Sequence, residues 1–214
     1  ERLLSWLCAL SVGFMKIGIL AFQGDVAEHA DVLAQLAVDS VEVRSCNDLN
    51  QVSGLIIPGG ESTVMAKFLV LSGLNSAIQQ RVKGGNLAVF GTCAGAILTA
   101  KEATGKRAPE SLDLIDITIE RNAYGTQRDS FDAVLQVLDI AHPVACSFIR
   151  APKITRAGDG VDILATYEQQ PVLVRQGNVL AATCHPELRG ETAIHALFIS
   201  MCRALATQTP PSHR

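Results

Sequence analysis

The stretch "LAVFGTCAGAIL", Leu87 to Leu98, decides how this chain is read. Its first four residues form an apolar run of buried-strand length, "GTCAG" follows at Gly91 to Gly95, and a helix opens near Ala94. A strand that passes straight into a helix needs a sharp turn, and Gly91 and Gly95 remove steric conflict on either side of Cys93. A cysteine at such a turn has two readings. It is a buried core thiol, or it is a sulfur lifted above a sheet, where a helix amino terminus favours the thiolate and backbone N–H groups point at the site.

Outward from that turn the pattern repeats. "KIGILAF", ended by Gly24, reads as a buried parallel strand, and Asp25 with Glu28 has the spacing of a capping box ahead of His29, Val32, Leu33 and Leu36. "VEVR" and "GLIIPGG" are two more strands. Ser62 is placed to cap a helix through "TVMAKFLVL", and another helix covers Ala77 to Val82. Strands alternating with helices indicate a parallel α/β sheet covered on both faces. In the second half "DLIDITIER", "SFDAVLQV", "CSFIR", "VDILATY", "PVLVRQ" and "VLAATC" read as shorter strands, with a hairpin turn at Gly177 and Asn178, so part of the sheet is antiparallel. The last helix carries the stripe Ile194, Leu197, Phe198, Met201 and Leu205.

Composition sets outer bounds. A chain of 214 residues, 48% hydrophobic and 18% charged with a formal charge of −3, suits one compact domain and disfavours disorder or a polyanionic partner, so no nucleic acid is expected. Six cysteines without a CxxC pair argue against a disulfide framework and for a reducing cytoplasm. The amino-terminal "RLLSWLCALSVGF" is too short to span a bilayer and fits a cleaved leader poorly. Residues 1–14 are read as an extension outside the fold, with the domain at 15–207 and a polar tail at 208–214.

A cysteine nucleophile needs a base, because its thiol is only a few per cent ionised, roughly, at neutral pH. Of five histidines, His142, His195 and His213 read as structural or solvated, and His29 is harder to dismiss. His185 stands out. It follows the strand "VLAATC" in "CHPEL"; if that strand runs parallel to "LAVF", both end at the carboxyl edge where open α/β sheets place their sites. Glu187, two residues on, can accept the far ring N–H and fix the tautomer. "PGGES", Pro58 to Ser62, ends another strand there, and the N–H groups of Gly60 and Ala94 would form a two-donor oxyanion hole. The plainer readings are a turn with an exposed carboxylate for "HPEL" and a helix cap for "PGGES". Cys184 is discounted as nucleophile, since it lies within a strand-like run and faces away from His185.

"PGGES", "GTCAG" and "HPEL" in this order resemble the class I glutamine amidotransferases, whose glutaminase domains use a Cys-His-Glu triad. More narrowly, "AFQGDVAEH", "GLIIPGGEST", "FGTCAGAILTAKE", "ERNAYGTQRDSF", "FIRAP" and "HPEL" are similar to the glutaminase subunits of two-protein pyridoxal 5'-phosphate synthases. The resemblance implies a flavodoxin-like three-layer sandwich with a mixed, mostly parallel central sheet. It implies that Cys93 attacks the side-chain amide of L-glutamine, that the oxyanion rests on Gly60 and Ala94, and that His185, oriented by Glu187, protonates departing ammonia. Gly59, Gly60, Glu61, Arg121, Ile149 and Arg150 would then line the glutamine pocket, with an arginine fork suited to the α-carboxylate. Ammonia would pass to the lyase subunit of the synthase, and this chain would hold neither a cofactor nor a metal. The "QGDVAEH" edge, His29 included, would contact that partner, or His29 is a packed helix-face residue.

Two alternatives have distinct signatures. The same hydrolysis could feed another biosynthesis, against which "FIRAP" and "ERN" argue; or the chain is a flavodoxin-like module with a redox or chaperone thiol, which leaves "PGGES" and "HPEL" unexplained.

Overall fold

Apolar runs of four or five residues can be buried on both faces only inside a sheet covered twice. The computed structural model describes residues 15–121 and 130–208. In it the expected runs become β1 (Ile17–Leu20), β2 (Ser40–Val43), β3 (Gly54–Ile57) and β4 (Ala88–Thr92). Between them lie α1 (Val26–Gln35), α2 (Cys46–Leu49), α3 (Ser62–Ser72) and α4 (Leu74–Lys83), and α5 (Ala94–Thr99) follows β4. The second half adds β5 (Ala100–Thr104), β6 (Ile115–Glu120), β7 (Ser130–Leu135), β8 (Val144–Ile149), β9 (Lys153–Ala157), β10 (Asp162–Tyr167), β11 (Gln170–Gln176), β12 (Val179–Ala182) and α6 (Ala193–Gln208).

The main sheet has the order β10-β11-β12-β4-β3-β1-β2. β12, β4, β3, β1 and β2 are mutually parallel, whereas β10 and β11 pair antiparallel at one edge. The sheet is therefore mixed and mostly parallel, as expected, and β12 does run parallel to β4. Period-two alternation divides the core: Leu55, Ile57 and Val89 face a layer holding α3, α4 and α5, while Ile56 and Phe90 face α1, α6 and the hairpin of β7 and β8. That gives three layers. A smaller sheet of β5, β6 and β9 flanks them.

Local differences have physical reasons. Asp25 occupies the N-cap of α1 but makes no capping hydrogen bond, because its carboxylate turns to His185. The cap of α3 is Glu61, whose Oε1 accepts from the Thr63 N–H, and Ser62 is already helical. A capping box does form at α2, between Ser45 and Asp48. The strands β5 and β9 were not expected, since "AKEAT" and "KITRA" are short, polar and partly exposed. The expected extension at 1–14 and the tail beyond Gln208 lie outside the described residues, as do the eight residues after Arg121. Among the described residues no helix is long and apolar enough to cross a membrane.

Candidate active site

Cys93 stands between β4 and α5 with φ 47° and ψ −100°, a conformation that costs a side-chain-bearing residue about 1–3 kcal/mol. The flanking glycines explain why the chain can hold it. A Cβ at Gly95 would lie 1.8 Å from the carbonyl oxygen of Ile57, and one at Gly91 would lie 2.6 Å from the Gly95 backbone. Helix and strands meet there without room for a methyl group. The Cys93 N–H donates to Ala182 O at 2.8 Å, which ties the turn to β12, and the thiol lies 3.9 Å from the Ile149 carbonyl. Ala94 opens α5, so its N–H is one of the first-turn donors with no acceptor inside the helix.

His185 emerges just past β12 and is fixed by the neighbouring hairpin. Its N–H donates to Ser147 O at 2.7 Å, and the Ser147 N–H donates to His185 O at 3.2 Å. The ring Nδ1 lies 2.8 Å from Glu187 Oε1 and 3.2 Å from Asp25 Oδ2, which leaves Nε2 for the sulfur. Burial alone would lower the imidazole's proton affinity, but hydrogen bonds with Asp25, Cys93 and Glu187 outweigh it and raise the pKa to about 12. Glu187 is fully buried at its side chain, and that burial pushes its carboxyl up while the imidazole opposes the shift. Cys93, His185 and Glu187 thus come together in the order expected from the sequence.

A cavity of about 50 Å³ beside the sulfur is lined by Gly60, Glu61, Ser62, Cys93, Ala94, Ile97, Arg121, Ile149 and Arg150. Five of the six expected pocket residues are among them. Gly59 is the exception: it packs behind the imidazole, where a Cβ would meet His185 Cε1 at 2.3 Å. Gly60 has φ 148°, a backbone suited to glycine. Glu61 Oε1 accepts from Arg121 Nη2 at 3.0 Å, so opposite charges sit paired at the cavity mouth. The Thr63 hydroxyl lowers the Glu61 carboxyl first, and Arg121 and Arg150 add to that. A larger cavity, about 600 Å³, opens between α3 and the 107–110 loop and contains none of these catalytic candidates.

Other expectations resolve differently. His29 is wholly buried, so it cannot itself touch a partner; it packs inside α1's inner face against His195. His195, read as structural or solvated, is likewise wholly buried. Cys184 is buried against Cys146, and their hydrogen bond, with burial, pushes its thiol well up, which suits a core residue. The five described cysteines are free thiols. Asp25 was missed as a site residue, because in the sequence its position before a helix is fully explained by capping. Together with His185 and Glu187 it offers donor atoms within 4.8 Å of one another, the spacing a metal ion would need. Those atoms are already joined through one ring N–H.

Comparisons with known proteins place the chain in a family. A family model described as the SNO glutamine amidotransferase family matches residues 19–204. Pyridoxal 5'-phosphate synthase subunit PdxT of Thermosipho africanus is 47% identical over 189 residues, 88% of this chain and 100% of that protein. PdxT of Thermotoga petrophila is 45% identical over 190 residues, again 88% and 100%. A crystal structure described as a glutamine amidotransferase superposes with a TM-score of 0.84 at 42% identity, covering 89% of this chain and all of that one. With an elbow cysteine beside a cavity, hydrogen-bonded to an imidazole that a glutamate holds, and a match over nearly the whole described chain, this protein belongs to the SNO glutamine amidotransferase family.

Proposed function

We propose that this chain is the glutaminase subunit of a pyridoxal 5'-phosphate synthase, hydrolysing L-glutamine to L-glutamate and ammonia through Cys93, His185 and Glu187. The observation that carries the reading is the convergence of a strained cysteine, an imidazole held by carboxylates and a cavity rimmed by a Glu–Arg pair. Free glutamine is a zwitterion beyond its side-chain amide. Glu61 suits its ammonium group, and Arg121 with Arg150 suits its carboxylate.

In the first step the Cys93 sulfur adds to the amide carbon, and the oxyanion is stabilised by the N–H groups of Gly60 and Ala94. His185, protonated and hydrogen-bonded to Glu187, passes a proton to the amide nitrogen, so ammonia leaves and a thioester remains. Water attacks the thioester with His185 now accepting its proton, which releases glutamate and restores the Cys93 thiolate beside a protonated His185. Glu187 keeps the ring oriented throughout and need not exchange a proton. The ammonia passes to a lyase subunit that assembles the cofactor, and this chain needs no prosthetic group for its own step.

The test pairs two cysteines. Cys93→Ala abolishes glutamate release, and Cys184→Ala, within the core behind the site, keeps most of it when each is assayed with the synthase partner. A glutamine-analogue thioester on Cys93, seen by intact-mass analysis, excludes the redox-module reading. Retained turnover in Cys93→Ala removes the proposal.

A further inference from the structure

A buried carboxylate needs donors on more than one side. Glu187 has His185 on Oε1, and its Oε2 is buried with no hydrogen-bond partner. Another ring nitrogen approaches the Oε1 side of the same carboxylate: His29 Nε2, 3.6 Å from Oε1. That is too long for a hydrogen bond and close enough for a strong dipole. The same Nε2 lies 3.1 Å from Thr92 Oγ1, one residue before Cys93, and His29 Nδ1 lies 2.8 Å from His195 Nε2. Phe90 packs edge-on against both rings, with centroids 6.3 Å and 5.5 Å away, which fixes their planes.

The protons on these rings follow from what their neighbours can accept. His195 Nδ1 is buried without a partner. Were His29 Nδ1 the donor, His195 would carry its hydrogen on that Nδ1, as an orphaned buried N–H, and His29 would turn a bare lone pair toward a carboxylate. The opposite assignment has neither fault. His195 Nε2–H donates to His29 Nδ1, the unpaired Nδ1 of His195 is only an acceptor, and His29 Nε2–H points at Thr92 and Glu187. Burial keeps both rings neutral, lowering His29 well below its ordinary value and His195 to about 4.

We propose that His29, locked in its Nε2–H tautomer by His195, is a positioning residue of the active site that holds Glu187 as an oriented carboxylate and braces the strand end carrying Cys93. It acts through Glu187 and Thr92 and touches no substrate. This inference rests on the hydrolytic reading above, with Glu187 orienting His185.

The experiment uses two amides of different reach. His29→Gln keeps an N–H donor near the position of Nε2, whereas His29→Asn places its amide near Nδ1 and withdraws it from Glu187. With the synthase partner present, the Gln variant is expected to keep kcat within about threefold, and the Asn variant to lose about tenfold or more in kcat with KM little changed, the scale on which partners one bond removed from a reacting centre act. Equal kcat in the two variants, or a loss carried by KM, overturns the proposal. Ring ¹⁵N spectra of the wild-type protein test it without any substitution: His29 must have a bare Nδ1 and a protonated Nε2, and the reverse pattern overturns it. Cys93→Ala in the same assay separates the two ideas. An inactive Cys93→Ala with equal Gln and Asn variants sinks this inference alone, and an active Cys93→Ala sinks the hydrolytic reading as well.

Discussion

Gly59 offers a direct measure of whether the imidazole stands where it works. A Cβ built there would lie 2.3 Å from His185 Cε1, 3.0 Å from Nδ1 and 2.5 Å from Asp25 Oδ2, whereas ordinary contact begins at 3.4 Å. In Gly59→Ala the ring must therefore retreat by about 1.1 Å, and a displacement of that size costs roughly a hundredfold in rate. The backbone at Gly59 is not among the left-handed glycines, so alanine brings no conformational strain of its own. Overpacking costs about 1–3 kcal/mol, which a domain of this size survives. Gly59 does not line the cavity, so substrate binding is spared. The assay is steady-state glutamate release with the synthase partner, beside thermal denaturation: kcat falls about a hundredfold and KM moves little. A folded Gly59→Ala protein with kcat within about threefold of wild type refutes the placement of His185 as the working base.

Gly95→Ala acts on the fold instead, because its Cβ would meet the Ile57 carbonyl at 1.8 Å and both sides are backbone; urea denaturation should register a loss of about 3 kcal/mol, and a loss near zero contradicts that close approach. Asp25→Asn weakens one of the hydrogen bonds that raise His185, so the alkaline limb of the pH–rate profile moves to lower pH, and an unmoved limb shows that Glu187 and Cys93 hold the proton without it. His195 sits at about 4 in the folded chain against 6.5 when unfolded, with burial as the cause. The unfolded chain takes up that proton first, so stability is full above about pH 6.5 and falls as pH drops toward 4, by on the order of 3 kcal/mol. His195→Gln flattens that slope in urea titrations, and an unchanged slope assigns the loss to other groups.

The parallel half of the sheet was legible because its strands are buried on both faces and so appear as unbroken apolar runs, as "GLII" and "LAVF" do. The proposed nucleophile drew notice for a related reason: Gly91 and Gly95 flank Cys93 where a strand turns sharply into a helix, a junction with no room for a methyl group. His185 and Glu187 could be paired by spacing alone, since a short 3-10 turn at Glu187–Arg189 folds the glutamate back onto the ring two residues earlier. What stayed hidden depends on long-range contact. Asp25 looks like a helix cap until the sheet brings it within 3.2 Å of His185, 160 residues away, and His29 meets His195 across 166 positions. Strands β5 and β9 lack any periodic pattern, because each is half exposed and gains its place from pairing with β6.

The paired N–H and C=O groups of Ser147 and His185 weld the arm that carries Ile149 and Arg150 to the proposed base. On the proposed reading, substrate grip and proton transfer are thereby mechanically one unit. Redesign aimed at a different amide donor has freedom in the side chains at 149 and 150 but none in the main chain beneath them, since any shift of that backbone retunes the chemistry it was meant only to redirect.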